Sequence, residues 1–98
     1  MFKEIRKTAK RLLKENSSVE KVVLFGSLAQ DKATAFSDVD IIVVVNSSDK
    51  KFIDRPDDFR NYFQDMGIAV DLFIYTKEEA EKTPFAYTAL SRGKCMAG

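Results

Sequence analysis

Residues 21–45 read KVVLFGSLAQDKATAFSDVDIIVVV and contain two strand patterns with a polar connection between them. The first five of these residues form a short β-branched run, which predicts a strand that ends at Gly26-Ser27. Small and polar residues follow as far as Ser37, and a second strand is predicted over residues 40–45. Because that strand is apolar at consecutive positions, we expect other elements to cover both of its faces. The stretch therefore predicts a small sheet with helices packed against it.

The rest of the chain shows the patterns of four helices and a third strand. The helices are predicted over residues 2–15, over residues 56–66, from the capping-box pair Thr76 and Glu79 onward, and from Thr83-Pro84 to about Arg92-Gly93. The third strand is predicted over residues 69–75. With 98 residues and 45% hydrophobic residues, the chain has the size and apolar content of one small α/β (α+β) domain over residues 1–98.

The composition excludes several kinds of site. The chain contains no His, which rules out His-dependent triads and His-ligated metals, so any metal must be bound by oxygen. Its one cysteine, Cys95, cannot form an internal disulfide and suits a reducing compartment. The longest apolar run is too short for a membrane span, and the N-terminus lacks a signal-peptide pattern. We therefore expect a cytoplasmic protein with no membrane partner.

The predicted helix over residues 2–15 is strongly basic. Residues 1–21 carry seven bases and three acids, a charge of +4, although the whole chain has a net charge of only +1. The simpler interpretation is a solvated amphipathic helix. The alternative is a contact surface for an acidic partner or RNA, but no aromatic residue lies between the bases as a stacking platform would need. Direct binding to nucleic acid is therefore not expected.

Two short motifs carry the chemistry. Gly26-Ser27, directly after a strand, offers backbone N–H groups and a hydroxyl that suit a phosphate, although the same pair is common in ordinary turns. Asp38 and Asp40 are one residue apart at the start of the second strand, so the two-residue period places both carboxylates on one face. Such a pair suits Mg²⁺, and the alternative is a polar strand start with an Asx turn.

Asp71 is an acidic residue inside the third predicted strand, which is otherwise apolar. Burying its charge without a partner would be costly, so we expect either a Lys or Arg nearby or a metal site shared with Asp38 and Asp40. The long connection that precedes this strand allows it to lie parallel to the second strand, with their starts level. Strand one must run antiparallel to strand two if Gly26-Ser27, at the end of strand one, is to meet Asp38 at the start of strand two. This arrangement predicts a mixed sheet of three to four strands. A phosphate-binding turn facing a carboxylate metal site is the arrangement of two-metal phosphoryl or nucleotidyl transfer.

These residues resemble the minimal nucleotidyltransferase (MNT) domains of the DNA polymerase beta superfamily. The resemblance rests on Gly26-Ser27, ten intervening residues, Asp38-Val39-Asp40 and the later strand acid Asp71. It implies a nucleotidyltransferase that uses Mg²⁺, with two ions, and ATP as its substrate. The implied catalytic and metal-binding residues are Asp38, Asp40 and Asp71, and the implied nucleotide-binding residues are Gly26, Ser27, Lys32 and Ser37.

A free-standing domain of this kind looks like the antitoxin of HEPN/MNT toxin–antitoxin pairs. The resemblance then implies transfer of AMP from ATP to a hydroxyl, typically of a tyrosine, on a HEPN ribonuclease, and assembly with that partner or with further copies of the chain. One alternative is a non-catalytic module that neutralises its partner by contact, which Gln30-Asp31 favours because the family commonly has Arg and Gly after Gly-Ser. Another is a catalytic subunit that modifies RNA or a small molecule.

Five aromatic residues could contribute to a partner surface or to the core, with core packing the favoured interpretation. They are Phe52, Phe59, Tyr62, Phe85 and Tyr87.

Overall fold

A computed structural model describes residues 2–25, 39–64 and 70–98 of the chain. Their helices and strands are, in chain order, α1 (Phe2–Glu15), β1 (Val19–Phe25), β2 (Val39–Val45), a 3-10 helix (Phe52–Asp58), α2 (Arg60–Phe63), β3 (Val70–Thr76), α3 (Lys77–Lys82), α4 (Pro84–Arg92) and β4 (Lys94–Ala97). The helices flank one four-stranded sheet, which confirms the predicted α+β class.

The sheet has the strand order β3-β2-β1-β4. β1 is antiparallel to β2 and to β4, whereas β2 is parallel to β3. The predicted mixed sheet is therefore confirmed, including the opposite directions of the first two strands. The pattern of residues 94–97 did not predict β4, because Lys-Cys-Met-Ala has no β-branched residue and no period of two.

β2 is covered on both faces, as its continuous apolar sequence predicts. Val39, Ile41 and Val43 belong to the larger core cluster, which includes residues of α1. Ile42 and Val44 belong to a second cluster, which includes residues of α3 and α4. The sheet is thus the middle layer between α1 and α2 on one face and α3 and α4 on the other.

α1 is amphipathic as predicted. Ile5, Ala9 and Leu12 are fully buried at helical spacing and pack against the sheet. Its bases are exposed, and they are Lys3, Arg6, Lys7, Lys10, Arg11 and Lys14. The favoured interpretation of a solvated basic face therefore agrees with their exposure.

The predicted helix over residues 56–66 is wrong in its extent. A 3-10 helix includes Pro56 in its interior, and the α-helix that follows has only four residues. The Phe59 N–H donates to the Pro56 carbonyl at 3.0 Å, a bond of the tighter i to i+3 type. The aromatic spacing was nevertheless informative, because Phe59 and Phe63 are buried and Tyr62 packs against the same core.

The two C-terminal helices begin where the sequence indicates. Thr76 accepts from the Glu79 N–H, and the Glu79 carboxylate accepts from the Thr76 N–H, which completes the capping box. Pro84 opens α4, and Gly93 follows its last residue. In the part of the chain that the structure describes, no helix is long and apolar enough to cross a membrane.

Candidate active site

Asp40 and Asp71 are brought together by the parallel pairing of β2 and β3. They are direct Cα partners in the register, one residue after the start of each strand. Because side chains alternate along a strand, both acids lie on the sheet face that α3 and α4 cover. Two carboxylates that the sequence separates by 31 positions thus share one end and one face of the sheet.

The end of β1 meets the same place. Phe25, its last residue, is the antiparallel partner of Asp40. Gly26-Ser27 follows Phe25 directly in the sequence, so the chain leaves β1 beside the acidic pair. Phe25, the residue that precedes Gly26, therefore lies beside Asp40, whereas Gly26 and Ser27 themselves lie outside the described residues.

Five of the predicted site residues lie outside the described residues. They are Gly26, Ser27, Lys32, Ser37 and Asp38. The predictions for these five residues therefore stay predictions. Of the predicted catalytic and metal-binding residues, the structure describes Asp40 and Asp71.

Asp71 is not a buried charge, although its neighbours in the sequence are apolar. β3 is an edge strand of the sheet, and Asp71 is exposed near its beginning. No salt bridge joins Asp71 to Lys or Arg among the residues described here. Asp71 does line a groove of about 290 Å³ with Arg60, whose guanidinium instead pairs with Asp57 at 3.3 Å. The carboxylate is therefore accessible from solution, as a metal ligand or a proton acceptor has to be.

The acidic pair suits Mg²⁺ in its chemistry, because carboxylate oxygens are the ligands that this ion prefers. Within residues 2–25, 39–64 and 70–98, no group of three or more His, Cys, Asp or Glu side chains could hold a metal. The third predicted ligand, Asp38, lies two positions before Asp40 in the sequence and outside the described residues. Asp40 and Asp71 thus supply an incomplete oxygen donor set to which Asp38 is the predicted addition.

Residues 7–97 match the family model of the polymerase beta nucleotidyltransferase domain. The chain belongs to this family. The predicted resemblance is confirmed at the family level, and so is the prediction of a nucleotidyltransferase.

Related proteins agree with this assignment. A protein of Methanocaldococcus jannaschii, provisionally named a protein adenylyltransferase, is 35% identical, with 86% of this chain and 82% of the relative covered. A crystal structure from Sulfolobus solfataricus, provisionally described as a nucleotidyltransferase, has 21% identity and a TM-score of 0.68 over 86% of this chain and 74% of its own. A crystal structure of a toxin–antitoxin with AMP-PNP has the same identity and TM-score over 99% of this chain and 73% of its own. The two structures show that the nucleotidyltransferase fold is shared.

Three phenylalanines beside the acids were not identified as site residues from the sequence. Phe25, Phe73 and Phe85 come from β1, β3 and α4, and each ring contacts the other two. Two of them had a signal in the sequence, since Phe25 precedes Gly26 directly and Phe73 follows Asp71 by two positions. Phe85 had none, because only the fold brings α4 to this end of the sheet.

A larger cavity lies away from the acidic pair. Its volume is about 530 Å³, and Val44, Leu90 and Tyr87 are among the residues that line it. Val44 lies near the end of β2, whereas Asp40 lies near the start. This cavity is therefore separate from the site that the acids define.

Proposed function

We propose that this nucleotidyltransferase transfers AMP from ATP to a hydroxyl group of a partner protein. One observation carries the proposal: Asp40 and Asp71 are register partners on one sheet face, beside the strand end that leads into Gly26-Ser27. This arrangement can place a triphosphate and an acidic site at the same end of the sheet. The relative named as a protein adenylyltransferase supports a protein as the acceptor.

Each predicted residue then has a role. Gly26 and Ser27 would bind the triphosphate through backbone N–H groups and the hydroxyl, and Lys32 and Ser37 are the other proposed nucleotide-binding residues. Asp38, Asp40 and Asp71 would hold two Mg²⁺ ions. When bound there, Mg²⁺ would offset the charge of the phosphates and of the attacking oxygen.

The reaction is an in-line displacement at the α-phosphorus of ATP. The acceptor oxygen forms a new bond to that phosphorus, the bond from the α-phosphorus to the bridging oxygen breaks, and pyrophosphate leaves. The hydroxyl proton passes to the Asp71 carboxylate, which is exposed and so can be reached by a side chain of another protein. Asp71 thus serves the acceptor side of the reaction.

The proposed acceptor is a tyrosine of a HEPN-type toxin, for which this chain is the antitoxin. The toxin–antitoxin among the structures of the same fold supports such a partner. AMP attached to a tyrosine adds a negative charge and a bulky group, which can block a ribonuclease site. Neutralisation would then depend on catalysis rather than on contact alone.

The test follows the label from ATP that is radioactive at the α-phosphate. Wild type, Asp40→Asn and Asp49→Asn are each incubated with this ATP and Mg²⁺ in a lysate of the source organism. Asp49 is the matched control, because it is an exposed aspartate in the loop beyond the other end of β2. We expect a labelled protein band with wild type and Asp49→Asn, and at least a hundredfold weaker band with Asp40→Asn.

Other outcomes would select the alternatives. Label on RNA or on a small molecule, with no labelled protein, would identify a catalytic subunit with a different acceptor. A complex that forms with wild type and with Asp40→Asn while nothing is labelled would contradict the enzyme and support a module that acts by contact.

A further inference from the structure

Three phenylalanine rings form a closed cluster beside the acidic pair. The ring centroids are 5.8 Å apart for Phe25 and Phe73, 5.5 Å for Phe25 and Phe85, and 5.6 Å for Phe73 and Phe85. These distances are typical of favourable aromatic contacts. We call these three residues the phenylalanine cluster.

The phenylalanine cluster lies next to the acids on the sheet. Phe25 is the register partner of Asp40, and Phe73 follows Asp71 by two residues on the same strand and the same face. Two residues of a strand span about 6.6 Å. The cluster and the acids are therefore neighbours on one face of the sheet.

Two rings of the cluster are half-buried against the core, and the third is exposed. Phe25 and Phe73 pack against the core cluster of Ile42 and Val44, whereas Phe85 is 48% exposed. Two other exposed aromatic side chains of the described residues have different surroundings: Phe52 packs on Tyr75, and Tyr87 lines the larger cavity. Phe85 thus presents an aromatic surface that its two ring neighbours hold in place next to the acids.

We propose that the phenylalanine cluster is the platform for the nucleobase of the donor nucleotide, with Phe85 as the residue that contacts the base. This inference rests on the proposed function. The base is tethered through ribose to the α-phosphate, so it has to lie within a short distance of the acids. An aromatic ring stacks on a planar base, and that contact depends on the area of overlap rather than on hydrogen bonds.

The position of the cluster favours the donor base over the ring of an acceptor tyrosine. The cluster extends from β3 to β1, and β1 leads into Gly26-Ser27, the proposed triphosphate site. The exposed edge of β3, with Asp71 and the groove beside Arg60, is open on the other side. The donor and the acceptor can therefore approach Asp71 from different directions.

Phenylalanine has no hydrogen-bonding group in its side chain. The cluster therefore contributes about equally to adenine and guanine, which have similar stacking area, and less to the smaller pyrimidines. The rings select purines as a class.

The test compares ATP with inorganic tripolyphosphate, which has the phosphate chain but no base. Binding of each to wild type, Phe85→Ala and Tyr87→Ala is measured by calorimetry with Mg²⁺ present. Tyr87 is the matched control, an exposed aromatic residue on the same helix that lines the other cavity. We expect Phe85→Ala to weaken ATP binding about tenfold and to leave tripolyphosphate binding unchanged. Tyr87→Ala should change neither.

Two further variants at Phe85 test whether the aromatic ring itself is required. Phe85→Trp should keep the affinity for ATP, because it retains an aromatic face, and Phe85→Leu should lose it while retaining apolar bulk. Equal effects of Phe85→Ala on ATP and tripolyphosphate, or no effect on either, would overturn the platform. A change only in the KM for the acceptor would also overturn it and would assign the cluster to the acceptor. Failure of wild type to bind ATP would instead contradict the proposed function itself.

Discussion

At the residue scale, Arg55 joins three parts of the chain. Its guanidinium is almost completely buried, and it forms a bidentate ion pair with the Glu79 carboxylate, with N···O distances of 2.5 and 3.2 Å. It also donates to the Ile74 carbonyl of β3 and to the Lys50 carbonyl. The 3-10 helix is thus attached to β3 and to the start of α3 by a single side chain.

The ion pair between Arg55 and Glu79 should make the stability of the fold depend on pH in the acid range. The Arg55 hydrogen bond, with a smaller contribution from the Thr76 N–H, lowers the pKa of Glu79 from 4.5 to about 2. Because the pKa of Glu79 is lower in the folded state than in the unfolded state, the ion pair contributes fully to the free energy of unfolding above about pH 4.5. That contribution is lost as the pH falls toward 2. Because the Glu79 side chain is 42% exposed, we reduce the expected contribution to about 1–2 kcal/mol.

Urea unfolding of wild type and Glu79→Gln at pH values from 7 to 2 measures this contribution. Gln can keep the capping box but not the ion pair, so wild type should be more stable at neutral pH, and the difference should shrink below about pH 4.5. Glu81→Gln, at an exposed position of the same helix, is the control and should follow wild type. A difference between wild type and Glu79→Gln that stays constant down to pH 2 would contradict the assigned ion pair.

At the element scale, Gly93 determines how α4 passes into β4. Its φ of −77° is open to any residue, so the requirement is one of space. An added Cβ would lie 2.6 Å from the Leu24 carbonyl oxygen and 2.7 Å from the Ala89 carbonyl oxygen, and neither backbone group can move easily. α4, β1 and β4 therefore approach each other closely at this position.

We expect Gly93→Ala to lower the free energy of unfolding by about 1–3 kcal/mol, because the strand or the helix has to shift to admit the methyl group. Thr88→Ala, at an exposed position of α4, should change it by less than about 0.5 kcal/mol. Chemical denaturation measures both. If Gly93→Ala were as stable as wild type, the backbone atoms around Gly93 would have room for a methyl group.

The sequence predicts elements well where the pattern is local and less well where contacts across the fold decide. The helix over residues 2–15 and the capping box follow from periodicity and cap residues, and the parallel pairing of β2 and β3 follows from the long connection between them. The opposite direction of β1 was predicted from the site, because Gly26-Ser27 has to meet Asp38. β4 has no strand pattern and forms because β1 offers a free edge and Met96 is buried there. For the site, the pairing of Asp40 with Asp71 could be predicted, but the exposure of Asp71 could not. It depends on which strand forms the edge of the sheet.

At the scale of the whole molecule, the two faces of the sheet carry different surfaces. The exposed bases of α1 lie on one side, and the acids and the phenylalanine cluster lie on the other. A partner that contacts α1 would therefore leave the acidic end of the sheet accessible to nucleotide. The site itself uses three strands, β1, β2 and β3, so binding there requires most of the sheet to be folded.

Nucleotide and metal should therefore stabilise the whole molecule together. A ligand that binds only the folded chain adds about 2.7 kcal/mol at a concentration of 100 times its dissociation constant, which corresponds to a rise in Tm of about 10 °C or more for a chain of this size. We expect this rise with ATP and Mg²⁺, and almost none with ATP and excess EDTA, because Asp40 and Asp71 repel the phosphates when no cation is present.

Asp49→Asn should respond as wild type does, whereas Asp40→Asn should lose most of the rise in Tm. Differential scanning calorimetry measures all four cases. An equal rise in EDTA would show that the nucleotide binds without a metal at this site, and an equal rise in Asp40→Asn would place its binding away from the acidic pair.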